Sequence, residues 1–362
     1  MIRWVKYFGL TLAVLGLIAA LFYTALRLSP ALQDRVVARA LNQIMSAQMQ
    51  TNAFYGGDNL DVVFCGTASP MGGGDRAQQC IAVLAGDHFF IVDSGARSTT
   101  KAVAAGLPLG RLDGVLLTHF HSDHISSLGE LQLQSWAQGR PSQLTVYGGP
   151  GVAQVVDGFN LAYGLDYGYR TAHHGEDIMP SQNAGLKAQS FTVSDEGLIE
   201  IYNDGGLVIS AFKVPHDPVR PALGYRFDYR GRSVVISGDT SKSEAVVEAA
   251  QETDVLIHEV LQPHLVNETS RALEQVGRLK LGQLIRDTLD YHTSPIDAAE
   301  VANRANAELL VFTHLAPNPA NGLIETIFMR GVDLVRTAPT VIAQDGMFIR
   351  LPIGGDDIQV QR

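Results

Sequence analysis

The sequence predicts an α/β protein in which two β-sheets pack together between flanking helices, behind an N-terminal transmembrane helix. Three observations carry this. Short β-branched runs alternate with helical stretches over residues 60–352. The strands come early and late with helices between them, which fits two sheets in contact. A twenty-residue run near the N-terminus has no charge. Composition agrees: 46% apolar and 18% charged residues exclude disorder, collagen and coiled coil. The sum of 27 basic and 37 acidic residues is −10. A chain with that balance has no bulk attraction for phosphate polymers, so nucleic-acid binding needs a local basic patch.

The elements follow in order. Residues 7–26 (YFGLTLAVLGLIAALFYTAL) form a helix that matches a hydrocarbon slab about 30 Å thick. Arg3 and Lys6 precede it, so a single-pass inner-membrane topology would place the following domain in the periplasm. A cleaved signal peptide, releasing the chain into the periplasm, is the competing reading. Segment 1–28 is therefore anchor or signal, and 29–59 an amphipathic helix and linker, with Leu32, Val36, Ala40 and Ile44 at three-to-four spacing. The globular domain spans 60–352, and 353–362 is a tail. Strands are expected at 61–65, 79–84, 89–93, 114–118, 144–147, 207–214, 222–227, 233–237, 255–258, 309–313, 340–343 and 347–351. Helices are expected at 99–105, 125–138, 153–163, 243–250, 271–289, 295–306 and 323–330. Region 150–200, with poor periodicity and many Gly and Tyr residues, reads as a long irregular insertion. Cys65 and Cys80 flank the Gly72–Gly74 turn on neighbouring strands. Buried free thiols are favoured there over a bridge, which would contribute about 3 kcal/mol.

The chemistry concentrates in Thr118-His119-Phe120-His121-Ser122-Asp123-His124, directly after the apolar strand Val115-Leu116-Leu117. Four candidate ligands within six residues, at a strand-to-helix junction, suit zinc through imidazole nitrogen and carboxylate oxygen. Three more polar residues follow later apolar strands: His216 in KVPHDP, Asp239 in VVISGDTS and His314 in LLVFTHLAP.

This pattern resembles the metallo-β-lactamase-fold hydrolases, over roughly residues 61–351. IHEV (257–260) and YHTSPIDAAEVA (291–302) resemble the HEAT and HST motifs of the ribonuclease Z group, and VPHDPVRPALGYRF resembles a stretch shared by ribonuclease Z and related arylsulfatases. The resemblance implies a four-layer αββα sandwich and two zinc ions, with manganese or iron as alternatives. One ion would be held by His119, His121 and His216, the other by Asp123, His124 and His314, with Asp239 bridging. Asp93 would support the metal loop. His292 would act as proton donor and Glu259 would orient it, with His258 a less certain partner. Asp123 counts with the catalytic residues as well as with the ligands.

The choice of ester rests on charge. Residues 141–200 hold two basic residues, Arg170 and Lys187, against seven acidic ones. That disfavours a nucleic-acid partner, whose binding phosphate contacts dominate. YRTAHHGED (169–177) instead resembles the insertion of periplasmic arylsulfatase-like members, with His173 and His174 reaching an anionic substrate. The expectation is a membrane-anchored dinuclear zinc hydrolase that cleaves small phosphodiesters or aryl sulfates with a metal-bridged hydroxide. A ribonuclease Z-like 3′-tRNA-processing endoribonuclease and a non-catalytic anchored binding module are the alternatives. A homodimer is left open.

Overall fold

A computed structural model describes residues 2–71, 74–195, 197–319 and 321–362. Gly72 and Gly73 of the expected turn lie outside the described residues. Two compact units separate at Phe54 and Tyr55.

The N-terminal unit contains helices Ile2–Leu28 and Pro30–Phe54. Pro30 opens the second helix, where its missing N–H costs nothing. Among the described residues no single helix is long and apolar enough to cross a membrane. Val14–Leu28 and Pro30–Ser46 are long and apolar enough only as a pair, and the two are bent by 99°. The single spanning helix expected over 7–26 is thus not found, and several of that run's side chains lie outside the described residues.

The second unit is an α/β fold with two sheets. In spatial order the first contains Gln359–Gln361, Phe348–Pro352, Gly57–Gly66, Cys80–Gly86, His88–Val92, Gly114–Leu116, Leu144–Gly148 and Leu186–Ser190. The second runs Thr340–Ile342, Leu309–Ala316, Val255–Leu261, Arg232–Ile236, Leu223–Tyr229, Leu207–Lys213 and Ile199–Asp204. Both are covered on each face, which is why the strands read as nearly continuous apolar runs. Alternation still shows along Gly57–Gly66. Leu60, Val62 and Phe64 face the second sheet and pack with Tyr225, Phe227 and Ile257. Val63 and Cys65 face the outer helices. In both sheets the strands nearest the site run parallel: His88–Val92 with Gly114–Leu116, and Arg232–Ile236 with Val255–Leu261 and Leu309–Ala316. Parallel strands deliver their C-terminal ends to one rim, and polar residues placed there converge.

Several expectations are corrected. Cys65 and Cys80 are not free thiols but a disulfide. The antiparallel register sets Gly66 opposite Cys80 and brings the two Cα atoms to 5.0 Å. Replacing both cysteines by serine is expected to cost about 3 kcal/mol; the denaturant midpoint under non-reducing conditions checks it. Region 150–200 is not irregular: it holds the 23-residue helix Val152–His174 and an edge strand of each sheet. The helix contains the stretch expected at 153–163 and runs on to His174; it buries only Val152 and Val156 and contains Gly158, Gly164 and Gly168, so its second half carries no apolar period to read. Asn160 ties it to the sheet, accepting from the Leu186 N–H and donating to the Leu186 carbonyl. The helix expected over 271–289 is two, Pro263–Gln275 and Leu279–Asp287, broken at Gly277 with φ +78°. The tail is not loose at its end, because Gln359–Gln361 pairs with Phe348–Pro352.

Candidate metal centre

Asp93 organises the loop after Gly114–Leu116. Its Oδ1 accepts the Thr118 N–H at 2.9 Å, and its Oδ2 accepts the Thr118 hydroxyl and the His124 Nδ1–H, each at 2.8 Å. Donation from Nδ1 fixes the His124 tautomer, so its Nε2 lone pair points away from Asp93. His216 is oriented alike, with Nδ1–H donating to the Tyr291 carbonyl at 3.0 Å. The Nε2 atoms of both histidines are buried without a hydrogen-bond partner. An unsatisfied buried polar atom is costly, and a cation bound there would remove that cost. The donor set therefore fits metal ions.

Donor atoms of His119, His121 and His216 lie within 4.8 Å of one another, as do those of Asp123, His124, Asp239 and His314. Asp239 sits between the groups. Its Oδ2 is 3.3 Å from His124 Nε2, 3.4 Å from His314 Nε2 and 3.9 Å from His119 Nε2. Asp123 Oδ2 closes the second group at 3.1 Å from His314 Nε2. The site crosses the seam between the sheets. Residues 119–124 follow a strand of the first sheet, whereas His216, Asp239 and His314 belong to the second. Asp93 and His314 adopt φ +61° and +46°, a left-handed conformation that non-glycine residues rarely adopt and that clusters at functional sites.

Burial and mutual charge shift these groups in opposite directions. Burial pulls His119 well below its ordinary pKa and lowers His216. Burial opposes ionisation of Asp239, yet His314 and His124 hold it well below the usual carboxylate range. Burial also opposes charge on His124, but Asp239, Asp123 and Asp93 raise it well above 6.5.

His292 forms the adjoining wall. Its Nδ1–H donates to Glu259 Oε1 at 3.1 Å, and Glu259 Oε1 also accepts from the backbone N–H of Thr293 and Thr240. Burial pulls His292 down, but the Glu259 carboxylate, by charge and hydrogen bond, helped by Asp239 and Asp123, lifts it to about 9. Glu259→Gln is expected to bring this titration down toward or below about 6.5, read from the imidazole resonances of metal-stripped protein. With His121, Asp123, Asp239, His314 and Tyr291, His292 lines a cavity of about 250 Å³.

Three expected residues fall elsewhere. His173 and His174 are exposed at the end of helix Val152–His174, their rings 5.6 Å apart and tilted by 39°, and do not line this cavity. The helical conformation carries them there, where a loop had been expected to fold them inward. His258 is wholly buried, with Nδ1–H donating to the Glu259 carbonyl at 2.7 Å. Sequence reasoning missed the orienting roles of the Thr118 hydroxyl and the Tyr291 carbonyl. The first lay in plain view inside THFHSDH; the second is backbone and leaves no sequence signal.

Residues 91–315 match a family model described as a beta-lactamase superfamily domain. Ribonuclease Z of Mycobacterium bovis (strain BCG / Pasteur 1173P2) is 34% identical over 261 residues, 71% of this chain and 86% of the relative. The chain belongs to the metallo-β-lactamase superfamily. Ribonuclease Z of Mycobacterium marinum is also 34% identical, with 71% of this chain and 87% of that protein covered. Solved structures sharing the metallo-β-lactamase fold include human tRNase Z, short form, with a TM-score of 0.57 and 21% identity over 81% of this chain and all of that one. YhfI from Bacillus subtilis gives a TM-score of 0.58 and 20% identity over the same shares.

As a member of this superfamily, the protein is a metal-dependent hydrolase acting on ester bonds, with a His/Asp cluster suited to a dinuclear centre. The relatives overturn two expectations. They speak against an anchored hydrolase of small phosphodiesters or aryl sulfates and favour its ribonuclease Z alternative, because the relatives carry that name. The reading of nucleic acid as an unlikely partner is overturned with it. Net charge averages the whole surface and is blind to cations gathered in one cleft.

Proposed function

We propose that the protein is a ribonuclease Z-type endoribonuclease that cleaves a phosphodiester at the 3′ side of tRNA-like RNA. The observation that carries this is the His292–Glu259 pair at 3.1 Å beside seven converging donors, in a chain aligned over 86% of a ribonuclease Z. His119, His121 and His216 would hold one zinc ion, Asp123, His124 and His314 a second, and Asp239 would reach both. Such ions lower the pKa of water and draw off charge at phosphorus. The protein's own residues supply the rest. Asp93 and the Tyr291 carbonyl hold His124 and His216 in the tautomer that offers Nε2. Glu259 keeps His292 protonated, and His292 hands that proton to the departing ribose oxygen.

The test is incubation of the purified chain with a precursor tRNA carrying a 3′ trailer. One cut that stops with chelator and returns with zinc is expected. Intact RNA, with continued hydrolysis of bis(p-nitrophenyl) phosphate, would sink the reading.

The compartment is a separate proposal. The Cys65–Cys80 bridge belongs to oxidising surroundings, and the apolar run 7–26 would direct or hold the domain on the periplasmic side of the inner membrane. On that side the enzyme meets only RNA that has left the cytosol, so cell fractionation decides which RNA is its working substrate.

A further inference from the structure

The catalytic cavity has a second wall whose chemistry differs from that of the first. Beyond the metal donors and His292, it is lined by Pro70, Met71, Leu284, Thr288, Tyr291 and Ala316. Among the described residues no lysine or arginine lines it, and its two carboxylates, Asp123 and Asp239, both belong to a donor group. An anion entering the cavity thus finds positive charge only at the metal centre and at His292.

The second wall rests on the helical hairpin Pro263–Gln275 and Leu279–Asp287. Val266 and Ile285 seat the hairpin on Leu261 and Ala316, with Met71 packed against the same cluster. The two helices meet at Gly282, where a Cβ would stand 3.0 Å from the Ser270 carbonyl oxygen. The Ser270 hydroxyl donates to the Gly282 carbonyl at 2.8 Å. Leu284, one residue before the seated Ile285, turns to the cavity and is still 58% exposed.

Polar groups along this wall are already committed. The Thr288 hydroxyl donates to the Ile285 carbonyl at 2.6 Å, and the Ser69 hydroxyl accepts the Met71 N–H at 3.3 Å. The hairpin's Arg286 is spent on Glu274 and Ser270. A charged substituent placed against such a wall would lose water without gaining a partner, whereas an apolar one gains by covering Leu284 and Met71. Tyr291, whose ring lies 4.9 Å from that of His292, adds an aromatic surface that suits a flat group. The volume of about 250 Å³ is below the roughly 300–1,000 Å³ of a pocket for a drug-sized molecule. It has room for the reacting ester and one substituent. Leu284, Thr288 and Tyr291 come at spacings of four and three and lead directly into His292. A group packed on Leu284 is therefore held in register with the proton donor.

We infer that Leu284, with Met71 and Pro70, is the specificity-determining face of the catalytic cavity, and that it receives a flat, uncharged ring carried by the reacting phosphodiester. The inference deepens the ribonuclease reading and rests on it for the natural bearer of that ring, a base beside the cut.

The test is calorimetric binding of diphenyl phosphate and dimethyl phosphate to the zinc-loaded full chain, which needs no turnover. Both ligands offer the same anion to the metal centre, and only the first carries rings. Wild type should bind diphenyl phosphate about 10-fold or more tightly than dimethyl phosphate. Leu284→Ser should remove most of that preference and leave dimethyl phosphate binding unchanged, and Leu284→Met should keep the preference. The exposure of Leu284 allows both variants to fold. Equal affinities in wild type, an unchanged preference in Leu284→Ser, or equal weakening of both ligands in that variant would overturn the inference. Precursor tRNA cut by a wild type with no ring preference would overturn it and leave the ribonuclease reading standing. A preference lost in Leu284→Ser alongside uncut precursor would support the face and sink that reading.

Discussion

His292→Ala is expected to lower turnover by about 10²–10⁴ while metal content stays unchanged. The imidazole belongs to the cavity wall and its Nδ1 is committed to Glu259 at 3.1 Å, so its removal takes away a proton donor without a metal ligand. The pH dependence has a definite sign. His292 is raised to about 9, so its acid form is present below that pH and lost as pH climbs through it. Wild-type turnover should fall on the alkaline side as His292 gives up its proton, and the residual activity of the alanine variant should lack that fall. Folding raises this pKa above its unfolded value near 6.5. The pair's contribution to stability is accordingly full below about 6.5 and disappears as pH rises through about 9. Equal turnover in variant and wild type would remove His292 from the acid role.

Asp239→Ala should have a still larger effect. Its Oδ2 lies within 3.4 Å of the Nε2 atoms of His124 and His314 and 3.9 Å from that of His119, so one carboxylate serves both donor groups. Its loss is expected to release at least one metal ion per chain. Metal coordination stabilises the transition state by several kcal/mol, so turnover should drop by about 10³ or more. Elemental analysis after exhaustive dialysis reads the first effect and a turnover assay the second. Full occupancy in the alanine variant would show that the two groups do not share this ligand.

How far the sequence reaches depends on whether a feature is local. His119, His121, Asp123 and His124 are legible because they crowd six positions after an apolar strand. His216, Asp239 and His314 are legible more weakly, each just beyond an apolar run, because strand ends are where a layered fold delivers polar groups. The Cys65–Cys80 bond was misjudged because it depends on register, a property of two strands and not of either alone. The helix expected over 153–163 was read too short, because its continuation to His174 stands in solvent and buries no residue beyond Val156.

The seam crossed by the seven donors has a mechanical consequence. Each donor group draws on both sheets, so any ion held there rivets the two halves of the sandwich across their rim. Chelation would do more than silence chemistry. It would unfasten the molecule along that line, and a cell short of the ion would lose the enzyme to proteolysis as well as to inactivity.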